Sequence, residues 1–226
     1  MILTFLACNP LPETVAMSGV VWDAPYLEGA PVAGAALQVF DEYGEVWGEA
    51  ESTADGAFQV DVPAGVPFFT TVSGDGRVPT AFSGTAGISD FIAPEGFPWV
   101  ADAAWMDALR VDFAACPTVN ELGAVVAGQV ALDGSYEVIL TASARVYAAD
   151  GSELAACYLD DDGESTADAT VTGATGRFAV FGVPPGEIVV DVRYDVGLSE
   201  QPVKLFWFFA PEGGLVPMYP TLMDLP

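Results

Sequence analysis

One ordered set of short motifs occurs twice in this 226-residue chain, and a repeat of that length limits the fold more than any other feature. The first copy runs Met17-Ser18-Gly19-Val20-Val21, then Ala36-Leu37-Gln38-Val39-Phe40-Asp41, then Ser52-Thr53-Ala54-Asp55-Gly56-Ala57-Phe58-Gln59-Val60, closing on Val62-Pro63-Ala64-Gly65. The second runs Val126-Ala127-Gly128-Gln129-Val130, then Ala144-Arg145-Val146-Tyr147-Ala148, then Thr172-Gly173-Ala174-Thr175-Gly176-Arg177-Phe178-Ala179-Val180, closing on Val183-Pro184-Pro185-Gly186. Further on, Ile92-Ala93-Pro94-Glu95-Gly96 returns as Phe209-Ala210-Pro211-Glu212-Gly213, and Met106-Asp107 as Met223-Asp224. Each copy is about a hundred residues, too long for a solenoid unit and the size of an independent domain. The expected division is a leader or linker over 1–14, a module over 15–116, a linker over 117–122 and a second module over 123–226.

The blocks carry strand chemistry. Apolar and β-branched residues alternate or cluster over short spans such as Phe58-Gln59-Val60-Asp61-Val62. Turn signals bound them: Tyr43-Gly44, Asp55-Gly56, Asp150-Gly151 and Pro184-Pro185-Gly186. Short strands at that spacing predict an all-β antiparallel sandwich in each module. The stretch Trp99 to Val111 suits either a short helix or two short strands.

The Gly-x-Val strand, the step Pro31-Val32-Ala33-Gly34-Ala35 leading to Val39, and the Gly-x-Phe-x-Val…Val-Pro-x-Gly ending are similar to those of the carboxypeptidase regulatory-like domain. The second copy lacks the Pro-Val-x-Gly step, with Ile139-Leu140-Thr141-Ala142 in its place. The resemblance implies two tandem transthyretin-like (Ig-like) sandwiches. It implies no catalytic centre, since such domains accompany a zinc-binding catalytic domain that this chain does not contain. The chain also resembles collagen-adhesin B-type modules, which often hold a Lys isopeptide bond; the only lysine for one is Lys204.

Acidity dominates the surface chemistry, with 32 Asp plus Glu against 6 Lys plus Arg and a formal charge of -26. Such a surface repels the phosphate backbone of nucleic acid and an anionic bilayer. It is compatible with high-salt adaptation, with cation loading and with plain solubility. There is no His, which removes Ser-His-Asp and Cys-His catalysis and His-ligated zinc. The expectation is therefore a protein that is not an enzyme.

The opening Met1-Ile2-Leu3-Thr4-Phe5-Leu6-Ala7-Cys8 resembles the lipobox of bacterial lipoproteins, with Cys8 as the lipidated residue. It has no basic segment and a short apolar run, as a truncated signal would; a first strand is the alternative. No other stretch reaches the length of a membrane span, so membrane attachment is expected only through lipid. In an exported protein Cys116 and Cys157 are candidates for a disulfide, with two buried thiols as the alternative.

Two sets of binding residues stand out. Asp160, Asp161, Asp162 and Glu164 could gather Ca²⁺, but their spacing is not that of an EF-hand, and a solvated hairpin tip is the favoured account of them. Trp99, Trp105 and Trp207 could stack against sugars, while the run Phe206-Trp207-Phe208-Phe209 has both faces apolar, so one face should enter a core and the other meet the neighbouring module or a partner. The overall expectation is a structural or interaction module of the bacterial cell envelope, or a secreted one. Its partner would be a protein or a glycan; a carbohydrate-binding accessory and a Ca²⁺-stabilised adhesin are the alternatives, and no other cofactor is expected.

Overall fold

Within Ala57–Pro63 the inward residues Phe58, Val60 and Val62 are buried while Gln59 and Asp61 are exposed, the alternation of a strand with one face in a core. The computed structural model describes residues 13–23, 29–41, 43–93, 97–116, 123–132, 139, 141–166, 168–194 and 203–223. Module 1 comprises β1 (Thr14–Val20), β2 (Trp22–Asp23), β3 (Ala36–Phe40), β4 (Val46–Glu51), β5 (Ala57–Pro63), β6 (Pro67–Ser73), β7 (Arg77–Val78), β8 (Thr80–Thr85), β9 (Phe91–Ile92), β10 (Trp99–Asp102) and α1 (Ala103–Asp112). Module 2 comprises β11 (Ala124–Leu132), β12 (Ala142–Ala148), β13 (Glu153–Ala155), β14 (Cys157–Leu159), β15 (Ser165–Thr166), β16 (Arg177–Val183), β17 (Gly186–Tyr194), β18 (Val203–Ala210) and β19 (Leu215–Met223).

Both modules are built to one plan. In module 1 the sheet β5-β1-β9 faces the arc β4-β3-β6-β8. In module 2 β16-β11-β19 faces β13-β12-β17-β18, and the β14–β15 hairpin is added beside β16. The expected antiparallel pairing holds within these sheets except at the closing strand, which runs parallel: β9 beside β1 and β19 beside β11; β10 also runs parallel to β2 in a small sheet with β7. The closing strand runs parallel because the chain returns from the opposite sheet before it closes.

The repeat is exact at the level of single hydrogen bonds. In module 1 the buried Ser52 hydroxyl donates to the Val32 carbonyl at 2.7 Å and accepts the Ala35 N–H at 2.8 Å. In module 2 the buried Thr172 hydroxyl donates to the Ile139 carbonyl at 2.7 Å and accepts the Ala142 N–H at 3.0 Å. Segments with different sequences, Val32 to Ala35 and Ile139 to Ala142, thus dock on one anchor. The motif glycines have one purpose in both copies: Gly19 lies opposite Phe58 and Gly128 opposite Phe178, and the ring covers the glycine. A Cβ there would stand 3.0 Å from the Phe58 ring and 2.8 Å from that of Phe178.

The downstream Ala-Pro-Glu-Gly likeness does not belong to this correspondence. Ile92 ends β9, the counterpart of β19, with Ala93 just beyond it, whereas Phe209-Ala210 ends β18, the counterpart of β8. Residues 94–96, Asp224 and the expected linker 117–122 lie outside the described residues. The open stretch near Trp99 resolves into β10 followed by α1, whose first turn is capped by Asp102 accepting the Trp105 N–H at 2.8 Å.

The modules are not beads on a string. Leu215 of β19 pairs in parallel with Thr80 of β8, which merges two sheets into one of nine strands. Beside that seam lies a core drawn from both modules. Trp99, Leu109 and Phe113 meet Val125, Leu159 and Phe181 there, all buried. This contact explains why β16 is buried on both faces while its counterpart β5 alternates: Ala179 and Phe181 occupy outward positions that Gln59 and Asp61 hold in module 1.

Candidate functional site

The junction is closed by several kinds of bond. Cys116, just beyond α1, forms a disulfide with Cys157 on β14, their Cα atoms 5.8 Å apart. The Ala115 N–H donates to the Ser165 hydroxyl at 3.0 Å. Arg177 of β16 pairs with Asp112 at 2.8 Å and sits 5.6 Å from the Phe113 ring centroid, so its charge bridges the helix end and module 2. These contacts hold the two sandwiches in one orientation.

A second contact lies on the far side of β8, where Phe209 packs against Phe40 with ring centroids 5.8 Å apart. Next to it a groove of about 530 Å³ runs between the modules. Pro67, Phe69 and Thr85 line one wall, and Leu205, Phe206 and Trp207 the other. Phe69 is buried, but Leu205 is 55% and Trp207 51% exposed. Strand alternation divides the aromatic run as its pattern requires. Phe206 and Phe208 turn into the module 2 core, while Trp207 shares the outer face with Leu205 and Val203.

That outer face is unusual for a sandwich sheet, whose exposed side ordinarily carries polar residues. Tyr147, Val189 and Trp207 form one row across three strands, and Arg145, Asp191 and Leu205 the next. The guanidinium of Arg145 is held above its ordinary pKa by a hydrogen bond with Tyr147 and by the charge of Glu153. Asp191 is buried and accepts Arg193 Nε at 3.0 Å; that bond and its charge hold Arg193 up as well. In a chain with only 6 basic residues, two arginines flank this apolar strip. The arrangement offers ring faces, aliphatic surface and guanidinium donors.

The other predicted residues fall elsewhere. Trp99 is corrected from a stacking platform to a core residue: it is 2% exposed, in the shared core, with Trp105 packed edge-on at 5.8 Å. Asp160 occupies the turn between β14 and β15, where its carboxylate accepts the N–H groups of Asp162 at 3.0 Å and Glu164 at 2.9 Å. Asp41 makes a turn of the same kind between β3 and β4 of module 1, accepting Tyr43 and Glu45 N–H at 2.9 Å. Burial pulls the Asp41 carboxyl upward, but hydrogen bonds from Glu45, Trp47 and Tyr43 outweigh it and hold the pKa below the ordinary value. The first acid of the Asp160–Glu164 cluster therefore has a structural task, and among the described residues no three Asp, Glu, Cys or His side chains converge as metal ligands would. Lys204 places its ammonium 5.8 Å from the Phe206 ring centroid. Cys8 lies outside the described residues. No described helix is long and apolar enough to cross a membrane.

What sequence reasoning missed is the α1 junction and the Ser52/Thr172 anchor. The signal for the first was present: the outward positions of β11 and β16 turn from Ala16, Ser18, Gln59 and Asp61 in copy one to Val125, Ala127, Ala179 and Phe181 in copy two.

No protein-family model matches the chain, and no curated protein does. Among solved structures it is similar to the Bacillus anthracis TIE protein, with 13% identity and a TM-score of 0.32 over 94% of this chain and 34% of that one. This chain thus spans about a third of that protein's length. It is also similar to the shaft pilin SpaA from Lactobacillus rhamnosus GG, at 11% identity and TM-score 0.30 over 95% and 99% of the two chains. The minor pilin GBS52 of Streptococcus agalactiae gives 12% identity and TM-score 0.29 over 93% and 96%. Likeness at this level does not bear on what this chain does, and its assignment as a pair of all-β sandwiches rests on its own strand pairing.

Proposed function

We propose that this chain is a non-catalytic structural and interaction module of the bacterial surface, held at the membrane by lipid on Cys8, that presents the Trp207 groove to a protein partner. The observation that carries the reading is the core shared by both modules, because a freely jointed pair would have no reason to bury Trp99, Leu109 and Phe181 together. A rigid pair keeps the two walls of the groove in register, and rigidity lowers the entropy lost when a partner binds. With no His the chain has no imidazole for acid–base chemistry, and its charge of -26 gives a self-repelling surface.

The test is made on intact bacteria producing the full-length protein. An impermeant amine- or carboxyl-reactive label should modify the wild type, and detergent-phase partitioning should recover it with the membrane fraction. Cys8→Ser should leave that fraction. Recovery of both proteins unlabelled in the cytosol would defeat the reading.

The exposure of Trp207 favours a second reading, a carbohydrate-binding accessory in which the indole stacks on a sugar ring. Binding on a glycan array that Trp207→Ala abolishes would select it. Uniform failure on the array, with the protein folded, would reject it.

A further inference from the structure

The two sheets that enclose the module 2 core do not end together. One, β13-β12-β17-β18, stops at β18 among the described residues, while the other, β16-β11-β19, carries on through β8 into β6. Ala81, on the outward face of β8, is 1% exposed and belongs to the module 2 core, so the outside of module 1 already serves as a floor for module 2. Farther along the same face Ser83 pairs with Phe69 and Thr85 with Pro67. These four residues are the floor of the Trp207 groove, and β18 stands along its side. The shorter sheet is thus one strand short of covering its floor.

The backbone of β18 is placed for such a strand. Ala142, Ala144 and Ala148 of β12 each turn both main-chain groups away from β17: Ala142 bonds Thr172, Ala144 bonds the Tyr158 hydroxyl, and Ala148 bonds Gly151 and Ser152. The register runs unshifted from β12 through β17 to β18. Hydrogen bonding alternates along antiparallel strands, so Lys204, Phe206 and Phe208 bond to β17 while Leu205 and Trp207 aim their N–H and C=O at the free edge. Edge strands are ordinarily protected by charge, proline or a bulge. β4 has Glu49 and Glu51 and β13 has Glu153, whereas Leu205-Phe206-Trp207 has none of these protections.

We infer that the groove takes an extended segment of a partner polypeptide, which adds to the four-stranded sheet beside β18 and lies over the β8–β6 floor. Its main chain bonds to Leu205 and Trp207, and alternate side chains turn down onto Phe69, Ser83 and Thr85. The groove lining has no charged side chain, so those positions take uncharged, β-branched residues. Outside the groove the chain's charge of -26 favours basic flanks. A second copy of the chain is the poorer occupant, because its own β18 lies against its own β8 and two chains of this charge repel. The inference deepens the reading of the groove as a protein-binding site and rests on it.

The experiment uses the full chain and a fluorescein-labelled peptide, Lys-Lys-Val-Thr-Val-Thr-Val-Lys-Lys, read by fluorescence anisotropy at physiological salt. Two further peptides carry N-methyl groups, one on the Val nitrogens and the other on the Thr nitrogens. Alternate amides of a strand point to opposite edges, so a bound strand presents one of these sets to β18 and the other to solvent. The parent peptide should bind saturably at one site. One methylated peptide should bind about thirtyfold more weakly, as loss of two hydrogen bonds would require, and the other should match the parent. Ser83→Trp, at an exposed position of the floor, should abolish binding. Trp207→Ala should weaken it about threefold by removing a cross-strand neighbour. Equal affinities of the two methylated peptides overturn strand addition, and are what loose electrostatic association of a basic peptide would give. If Trp207→Ala still weakens both, the groove remains a protein site bound through side chains, so this failure is distinct from failure of the surface-module reading. Absence of saturable binding by the folded wild type also overturns the proposal. So does a wild type that sediments as a dimer and becomes a monomer on Ser83→Trp, which would assign the groove to a second copy of the chain.

Discussion

The phenol of Tyr158 spans the two sheets of module 2. It sits on β14, donates to the Ala144 carbonyl on β12 at 3.0 Å and accepts the Ala144 N–H at 2.8 Å. Burial pushes its pKa above the ordinary 10.0, while the bond to Ala144 and the charge of Arg145 pull partly the other way. A raised folded value favours the protonated folded state. The contribution is therefore complete below pH 10 and is lost as pH rises through the higher folded value. Tyr158→Phe should lose about 1–3 kcal/mol at neutral pH, since it strands two buried backbone groups. Above pH 10 its deficit should shrink, because the wild type alone gives up the phenol's contribution. Urea midpoints of both proteins from pH 7 to 11 check this; a deficit constant across that range would contradict it.

At the scale of elements, the repeat tells most about the sheets and least about their junction. Gly-x-Val facing Gly-x-Phe specifies a glycine beneath a ring, and that is what β1–β5 and β11–β16 contain. The two glycines differ in tolerance. A Cβ on Gly128 meets the Met218 carbonyl oxygen at 2.6 Å, a backbone atom that cannot swing aside, whereas on Gly19 the nearest atoms are side-chain carbons at 3.0 and 3.1 Å. Gly128→Ala should cost about 3 kcal/mol and Gly19→Ala about 1, read as shifts in thermal midpoint. Equal shifts would contradict the difference in close approach between the two glycines.

The aromatic run 206–209 was legible as a two-faced strand, and its Phe209 does reach module 1. The larger junction was harder to see. Its helix has a modest apolar stripe, Met106, Leu109 and Phe113, spaced as a helix but too short to separate from a strand pair by pattern alone. Trp99 looked available only because nothing in a sequence says which side of a strand another module will cover. The match of Thr70 to Val190 needed paired registers, since each is placed by its partner, Val39 or Val146, rather than by similar neighbours.

For the whole molecule, the claim is that two sandwiches act as one body. The Cys116–Cys157 disulfide closes a segment of 41 residues across the junction. Its removal in Cys116→Ser/Cys157→Ser should cost about 2–4 kcal/mol, measured by guanidinium unfolding. A loss that also separates the modules would appear as two steps. The same variant should retain the Ser52 and Thr172 anchors, which lie within single modules. The most direct test is calorimetric unfolding of the oxidised wild-type chain. Shared burial of Trp99, Leu109, Phe113 and Phe181 predicts one transition whose calorimetric and van't Hoff enthalpies agree. Two resolved transitions, each with the enthalpy of about a hundred residues, would show independent modules and contradict the account.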